Sequence, residues 1–479
     1  MSSSSSSLHR NSLVPNGGFG WLVVFGTALT NVFNQSLVSV FGLLYGEHLQ
    51  NMGQGTVGAA LVMNINSVAL NFSGLITGPA LKRFRPRVVA AIGSLLSGFG
   101  LILSSMSNQL WQIIIAYGLV GLGLGFINPS SFIAVNSYFS TKRGRAIGLA
   151  LAGTGLGQMI MPNVVRILLD EYGFRGAALL MGALAFHGLI GASFFQPIEW
   201  HMKRKSGFSE KKMLLHPCRH NANKHTYHEV MTTDAEYDDD DGDSKQILNS
   251  DTISIDSGAV LIKQPTWKQR ISKAFDLNLM CDLQFVSIAI GLSLAYTASI
   301  NFSMLFPYFL QEEGGLSRSD CALCMSVLAT FDLASRLTLP TITDKLKLSC
   351  RVIFLIGAML LTLTRAILAE TTNRTSLIIM SALYGYVRAA TVVNQNLTIS
   401  EYTSQDKLAS ALSLTMIMKG VFVMTLGQFL GWIRDYTGSY SICLHVQNIL
   451  LIIVIIIWLP EILYRKFWKM KRRHHPVNI

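Results

Sequence analysis

The residues whose types and spacing could do chemistry are charges standing inside apolar runs. Asp332 and Arg336 are four positions apart, so on a helix they share a face. A guanidinium fork grips a carboxylate at two points and stays charged in apolar surroundings. The pair is therefore either a structural ion pair tying its helix to neighbours or a working site. In the second case Arg336 clamps a substrate carboxylate, and Asp332 releases it or takes a proton, which makes Asp332 the proton-coupling candidate. Arg388, Val392 and Asn396 share a face of another run, and Lys419 stands deep in a further one. Backbone bonding or snorkelling competes with a functional role for Arg388 and Lys419. Arg365 and Arg166 lie close to the ends of their runs and are expected to snorkel.

The first half of the chain offers amides and hydroxyls instead. Asn31, Gln35 and Ser39 make one stripe; Asn64, Ser67 and Asn71 make another. Such groups either bond helix to helix, for about 0.6 kcal/mol on average, or face a solute with polar groups beyond its carboxylate. With Arg336, Arg388 and Lys419 set against one Asp332, an anionic solute is the simplest complement.

What must position these residues follows from composition. Of 479 residues, 50% are hydrophobic and only 14% charged, against about 25% charged in a typical soluble domain. That argues against a soluble enzyme, a nucleic-acid reader or a disordered scaffold. Apolar runs long enough to cross a bilayer fall near 18–45, 56–81, 88–106, 109–138, 144–169 and 174–197. Six more fall near 283–310, 319–342, 352–368, 376–400, 408–432 and 440–463. The fold class is all-α membrane protein, with twelve transmembrane helices in two six-helix bundles. A charge in such surroundings costs roughly 2.5–3.5 kcal/mol on insertion scales, so it needs a partner or a wet cavity.

Basic residues set the expected orientation. Lys82, Arg83, Arg85 and Arg87 follow span two; Lys142, Arg143 and Arg145 follow span four; Lys345, Lys347 and Arg351 follow span eight; Arg465 to Arg473 supply six more. Loops on the other side carry scattered basics such as Arg175, Arg318, Arg374 and Arg434. The reading is a cytoplasmic N-terminal tail (1–17), a first bundle (18–197), a disordered cytoplasmic linker (198–281), a second bundle (282–464) and a basic cytoplasmic tail (465–479). The chain itself hints that its halves are related, since span four has Tyr117-Gly118-Leu119-Val120 and span ten has Tyr384-Gly385-Tyr386-Val387.

Some motifs are set aside. The Gly-x-Gly-x-Gly runs at 121–125 and 153–157 follow no strand, so they read as close-packing helix surfaces rather than nucleotide loops. Cys218, His220, His225 and His228 match no standard zinc spacing, and Cys321-x-x-Cys324 lacks a partner pair. No metal, cofactor, catalytic triad or nucleic-acid partner is expected, and an enzyme is not.

Two stretches carry a resemblance. Pro15-Asn16-Gly17-Gly18-Phe19-Gly20-Trp21 precedes span one, and Tyr138-Phe139-Ser140-Thr141-Lys142-Arg143-Gly144-Arg145-Ala146-Ile147-Gly148 enters span five. They resemble the two signatures of the monocarboxylate transporters, a branch of the major facilitator superfamily. Gly17, Gly18, Trp21, Tyr138, Phe139, Lys142, Arg143 and Gly148 carry the match, and Asp332 with Arg336 matches the family's Asp–Arg pair. The resemblance implies a plasma-membrane transporter of small organic anions, monocarboxylates first, working by alternating access. Members often reach the surface with a single-span ancillary glycoprotein, which the resemblance adds as a candidate partner beside the lipid bilayer. The chain departs from the pattern twice. Asn16 replaces an acid, which removes any gating charge there. Ser39 stands where lactate-type members have a lysine, which leans against obligatory proton symport. The alternatives are facilitated transport of amino-acid-derived or zwitterionic solutes, or a non-transporting sensor on the same fold.

Overall fold

The computed structural model describes residues 12–13, 15–201, 203–204, 272, 274–346 and 348–474. Helices account for nearly all of them. Span one is α1 (Phe19–Phe33) followed by a 3-10 turn (Gln35–Val38) and α2 (Phe41–Asn51). Span two is α3 (Gly55–Phe72) and α4 (Gly74–Arg83), span three is α5 (Pro86–Ser105), and span four is α6 (Leu110–Tyr138). The next helix, α7, runs from Arg143 to Ala185, and α8 (His187–Ser193) follows it.

The second half has α9 (Leu283–Glu312), α10 (Arg318–Leu346), α11 (Cys350–Ala369), α12 (Arg374–Tyr402), α13 (Leu408–Thr437) and α14 (Tyr440–His474), which form spans seven to twelve. A two-residue antiparallel pairing, β1 (Ser12–Leu13) with β2 (Lys203–Arg204), joins the chain before the first bundle to the chain after it.

Eleven helical segments are long and apolar enough to cross a membrane, and one of them, Arg143–Ser193, has 51 residues. At 1.5 Å per residue it would be about 77 Å long, more than twice the hydrocarbon thickness. Gly173 breaks it, with φ 62° and ψ −175°. Only glycine takes such a backbone without steric cost, so the segment is long enough and broken where two spans, five and six, would meet, which is consistent with twelve spans among the described residues.

Helix starts are written locally. Pro86 opens α5, where its missing N–H costs nothing. Asp282, Ser349 and Asn373 cap α9, α11 and α12 by accepting from a backbone N–H of the first turn. Large side chains such as Phe25, Ile115, Leu363 and Ile456 lie exposed on the outside, as a lipid-facing surface requires. Packing between helices uses small residues. A Cβ added at Gly153 would lie 2.3 Å from the Ala28 carbonyl oxygen and one at Gly121 2.4 Å from the Asn66 carbonyl oxygen, so the glycine runs set aside above act as contact surfaces in spans five and four.

The first apolar run, near 18–45, does not form one unbroken helix. It breaks at residues 34–40, where Ser39 donates to the Ser36 carbonyl oxygen at 2.6 Å. Hydroxyls and amides bonding the local backbone offer an alternative to the helical ladder, and Asn34, Gln35, Ser36 and Ser39 crowd this stretch.

Candidate functional site

The two halves meet on the side of the basic loops. Lys82 pairs with Asp276 at 2.6 Å and Arg145 with Asp344 at 3.3 Å. Ser400 donates to Asn136 at 2.9 Å, and Arg336 donates through Nη1 to the Leu151 carbonyl oxygen at 2.8 Å. Signature residue Gly148 sits at a tight approach of the halves, because a Cβ there would lie 2.6 Å from both the Arg336 carbonyl oxygen and Pro340. Away from this seal the halves enclose a cavity of about 1420 Å³, lined from both bundles. It runs from Leu412 and Ile147 near the seal to Gln158, Asn163, Tyr308 and Gln428 towards the other ends of the helices.

Arg336, Arg388, Asn396 and Lys419 line the cavity from the second half; Asn31, Gln35, Ser39, Asn64, Ser67 and Asn71 line it from the first. The helical turn of α10 stacks Asp332 under Arg336, with Oδ2 accepting from Nε at 2.8 Å and standing 2.8 Å from Nη2 in the ion pair. Asp332 itself is fully buried and does not reach the cavity in this state. Its Oδ1 has no hydrogen-bond partner and stands 3.8 Å from Arg388 Nη1. One carboxylate thus faces two guanidinium groups, firmly bonded to one and loosely to the other. Arg388 keeps Nε unpartnered.

The polar stripes divide. Asn31 donates to the Ala150 carbonyl oxygen at 2.9 Å, tying span one to span five while still lining the cavity. Asn71 bonds its own helix at Ser67 and reaches the Tyr296 hydroxyl at 3.5 Å. Asn66, not on either stripe, is the helix tie in span two, donating to the Tyr117 carbonyl oxygen.

Arg365 overturns its expectation. It is fully buried rather than snorkelling, with Nη2 on the Tyr384 hydroxyl at 3.0 Å and its guanidinium 4.6 Å from the Phe302 ring centroid. Aromatic faces replace water around it. Arg166 is exposed, in keeping with a side chain reaching for the interface. Cys321 and Cys324 are buried free thiols. Cys218, His220, His225 and His228 lie outside the described residues.

The signatures are one structure. Asn16, at φ 49°, accepts through Oδ1 from the backbone N–H of Ser140 at 2.7 Å and of Thr141 at 3.0 Å. Its own N–H donates to the Tyr138 carbonyl oxygen. Trp21 packs edge-on against Phe139 with ring centroids 5.0 Å apart, and Arg143 donates to the Phe139 carbonyl oxygen at 2.7 Å. An acceptor oxygen is what position 16 needs for these bonds, and an amide supplies it without the charge. Residues the sequence reading did not place are Tyr296, Asn301, Phe302 and Gln158, all on the cavity. A polar periodicity count over α9, like those made for spans one and two, would have found the first two.

A helical chain in two halves, with a polar cavity between them, is the architecture of a membrane transporter. The chain belongs to the Major Facilitator Superfamily, whose family model matches residues 20–428. Among named proteins it is similar, at low identity, to monocarboxylate transporters. It is 24% identical to monocarboxylate transporter 12 of Homo sapiens over 440 residues, covering 90% of this chain and 78% of that one. It is 23% identical to human monocarboxylate transporter 14 over 487 residues, covering 96% and 93%. Among solved structures, the fucose:proton symporter FucP of E. coli superposes with a TM-score of 0.60 at 13% identity, covering 92% of this chain and 97% of FucP. FucP in the outward conformation gives 0.58 at 12% identity, covering 91% and 98%. The structural likenesses show the fold, and membership of the superfamily makes the chain a multi-pass membrane transporter rather than an enzyme.

Proposed function

We propose that this protein carries small organic anions, monocarboxylates first, across the plasma membrane by alternating access. The observation that carries the reading is the charge of the cavity: Arg336, Arg388 and Lys419 line it, and no aspartate or glutamate does among its described residues. An anion arriving there meets guanidinium forks suited to a carboxylate. Asp332, bonded behind Arg336, competes with the substrate for the same donors. Both termini and the linker are assigned to the cytoplasm, so the sealed side faces inward and the cavity faces out. Rocking of the two bundles would exchange the seal for an opening on that side.

Amides on the first-half wall favour one second reading, facilitated transport of amino-acid-derived or zwitterionic solutes. Uptake into proteoliposomes by purified protein, with Arg336→Ala as control, tests these readings together. Saturable uptake of carboxylates that Arg336→Ala abolishes supports the anion reading. Saturable uptake of zwitterions alone supports the second. Binding without uptake would make the protein a sensor on this fold.

A further inference from the structure

The cationic groups of the cavity stand on two different helix pairs. Arg336 and Arg388 come from α10 and α12, which pack against each other. Lys419 comes from α13, which packs against α9. The first pole has a counter-charge, because Asp332 is bonded to Arg336 and faces Arg388. The second has none. Lys419 is 7% exposed, and no ion pair among the described residues includes it. Its Nζ lies 5.2 Å from the centroid of the Tyr296 ring, whose hydroxyl is met by Asn71 across the bundle interface. A ring face attracts an ammonium but supplies no charge to neutralise it. A buried charge left without a partner is strongly unfavourable.

Resting on the organic-anion reading of this cavity, we propose that Lys419 takes a second anionic group of the solute whose carboxylate is held at Arg336 and Arg388. Within the organic anions this narrows the preferred solute to a dianion, two carboxylates on one small molecule, ahead of the monocarboxylates put first above. Three cations less the one Asp332 leave two positive charges unmatched, which a monocarboxylate would halve and a dicarboxylate would cancel. Tyr296 and Asn71 hold the pole in place from spans seven and two. The second group therefore binds where the two bundles meet.

The test is uptake by the full-length protein in proteoliposomes at neutral pH. Straight-chain dicarboxylates from malonate to adipate are compared with monocarboxylates of equal chain length. In the wild type one dicarboxylate length should show a KM about tenfold or more below that of its matched monocarboxylate, the scale of one charge-assisted bond. Lys419→Gln should bring that ratio close to one, and Lys419→Arg should keep it. Equal KM values for the two series in the wild type would overturn the proposal, as would a dicarboxylate preference that survives Lys419→Gln. The wild-type comparison decides even where a variant fails to reach the membrane. Monocarboxylate uptake that depends on Arg336, with dicarboxylates no better, sinks this inference and leaves the anion reading standing. No uptake of either series sinks both.

Discussion

Arg336 donates to the carbonyl oxygen of Leu151 at 2.8 Å, from the same guanidinium that holds Asp332. One side chain therefore bonds both bundles, lines the cavity and contacts the buried acid. A carboxylate that draws Arg336 towards the cavity would take it from Leu151 and so loosen the seal between α7 and α10. Substrate binding and bundle movement are then linked through one group rather than through a long path.

Replacing Arg336 by Lys tests the fork directly. An ammonium cannot bond Asp332, Leu151 and a substrate in the same plane. Losing a hydrogen bond to a charged group removes about 1.5–3 kcal/mol, so kcat/KM for transport should fall about 10- to 100-fold with surface amount preserved. Normal transport by Arg336→Lys, measured against a surface-biotinylation control, would remove the clamp assignment.

Gly148 tests the seal. A Cβ at this position meets the Arg336 carbonyl oxygen and Pro340 at 2.6 Å each, and packed backbones cannot yield that much without separating. Gly148→Val should open the basic-loop side and raise the labelling of a cysteine placed at Ala150, measured from that side in inside-out vesicles. Unchanged labelling would mean that the contact does not hold the bundles together.

The Lys82–Asp276 pair predicts a pH response at the same seal. Partial burial acts to raise the Asp276 pKa. Hydrogen bonds from Lys82 and Ser410, with the charges of Lys82 and Lys407, outweigh it and hold the carboxyl below its usual range. A carboxylate lowered in this way contributes above its ordinary pKa of about 3.9 and is lost only as pH falls through the lower value. The pair should therefore hold unchanged from about pH 8 to pH 5 and weaken only below about pH 4. Cross-linking between cysteines on either side of it reads this directly. Asp276→Asn should loosen the seal at every pH.

Proton coupling is the fourth test. Asp332 is sealed behind Arg336, and Ser39 offers no lysine to help hold an anion. A substrate bound through Arg388 can leave the Asp332–Arg336 pair intact, so uptake is expected without obligatory proton symport. An imposed inward proton gradient should change initial uptake by less than about twofold, because no protonation of Asp332 is needed to free a donor. Strong stimulation that disappears in Asp332→Asn would reverse this.

Orientation is checked with two exposed loop positions, Arg85 after span two and Thr372 after span nine. A membrane-impermeant thiol reagent applied to intact cells should label Thr372→Cys and leave Arg85→Cys unlabelled, as the positive-inside rule requires. The opposite pattern would invert the whole assignment.

By itself the amino-acid sequence determined the helical spans, their division into two halves and the two signatures. Those features rest on apolar length, basic flanks and short local motifs, all of which act within one helix or loop. It also put Asp332 with Arg336, since four residues on a helix is a contact. What it did not decide was which polar groups face the cavity and which face a neighbouring helix. Asn31 does both, Asn66 does only the second, and Arg365 is enclosed by Phe302 and Tyr384 from other spans. Nor did it show that Asn16 closes on Ser140 and Thr141, more than a hundred residues away. In lipid the apolar tails give helices no strong reason to turn one face rather than another. Rotation and pairing are therefore decided by close packing and by the few polar bonds between helices, and these exist only once distant spans have met.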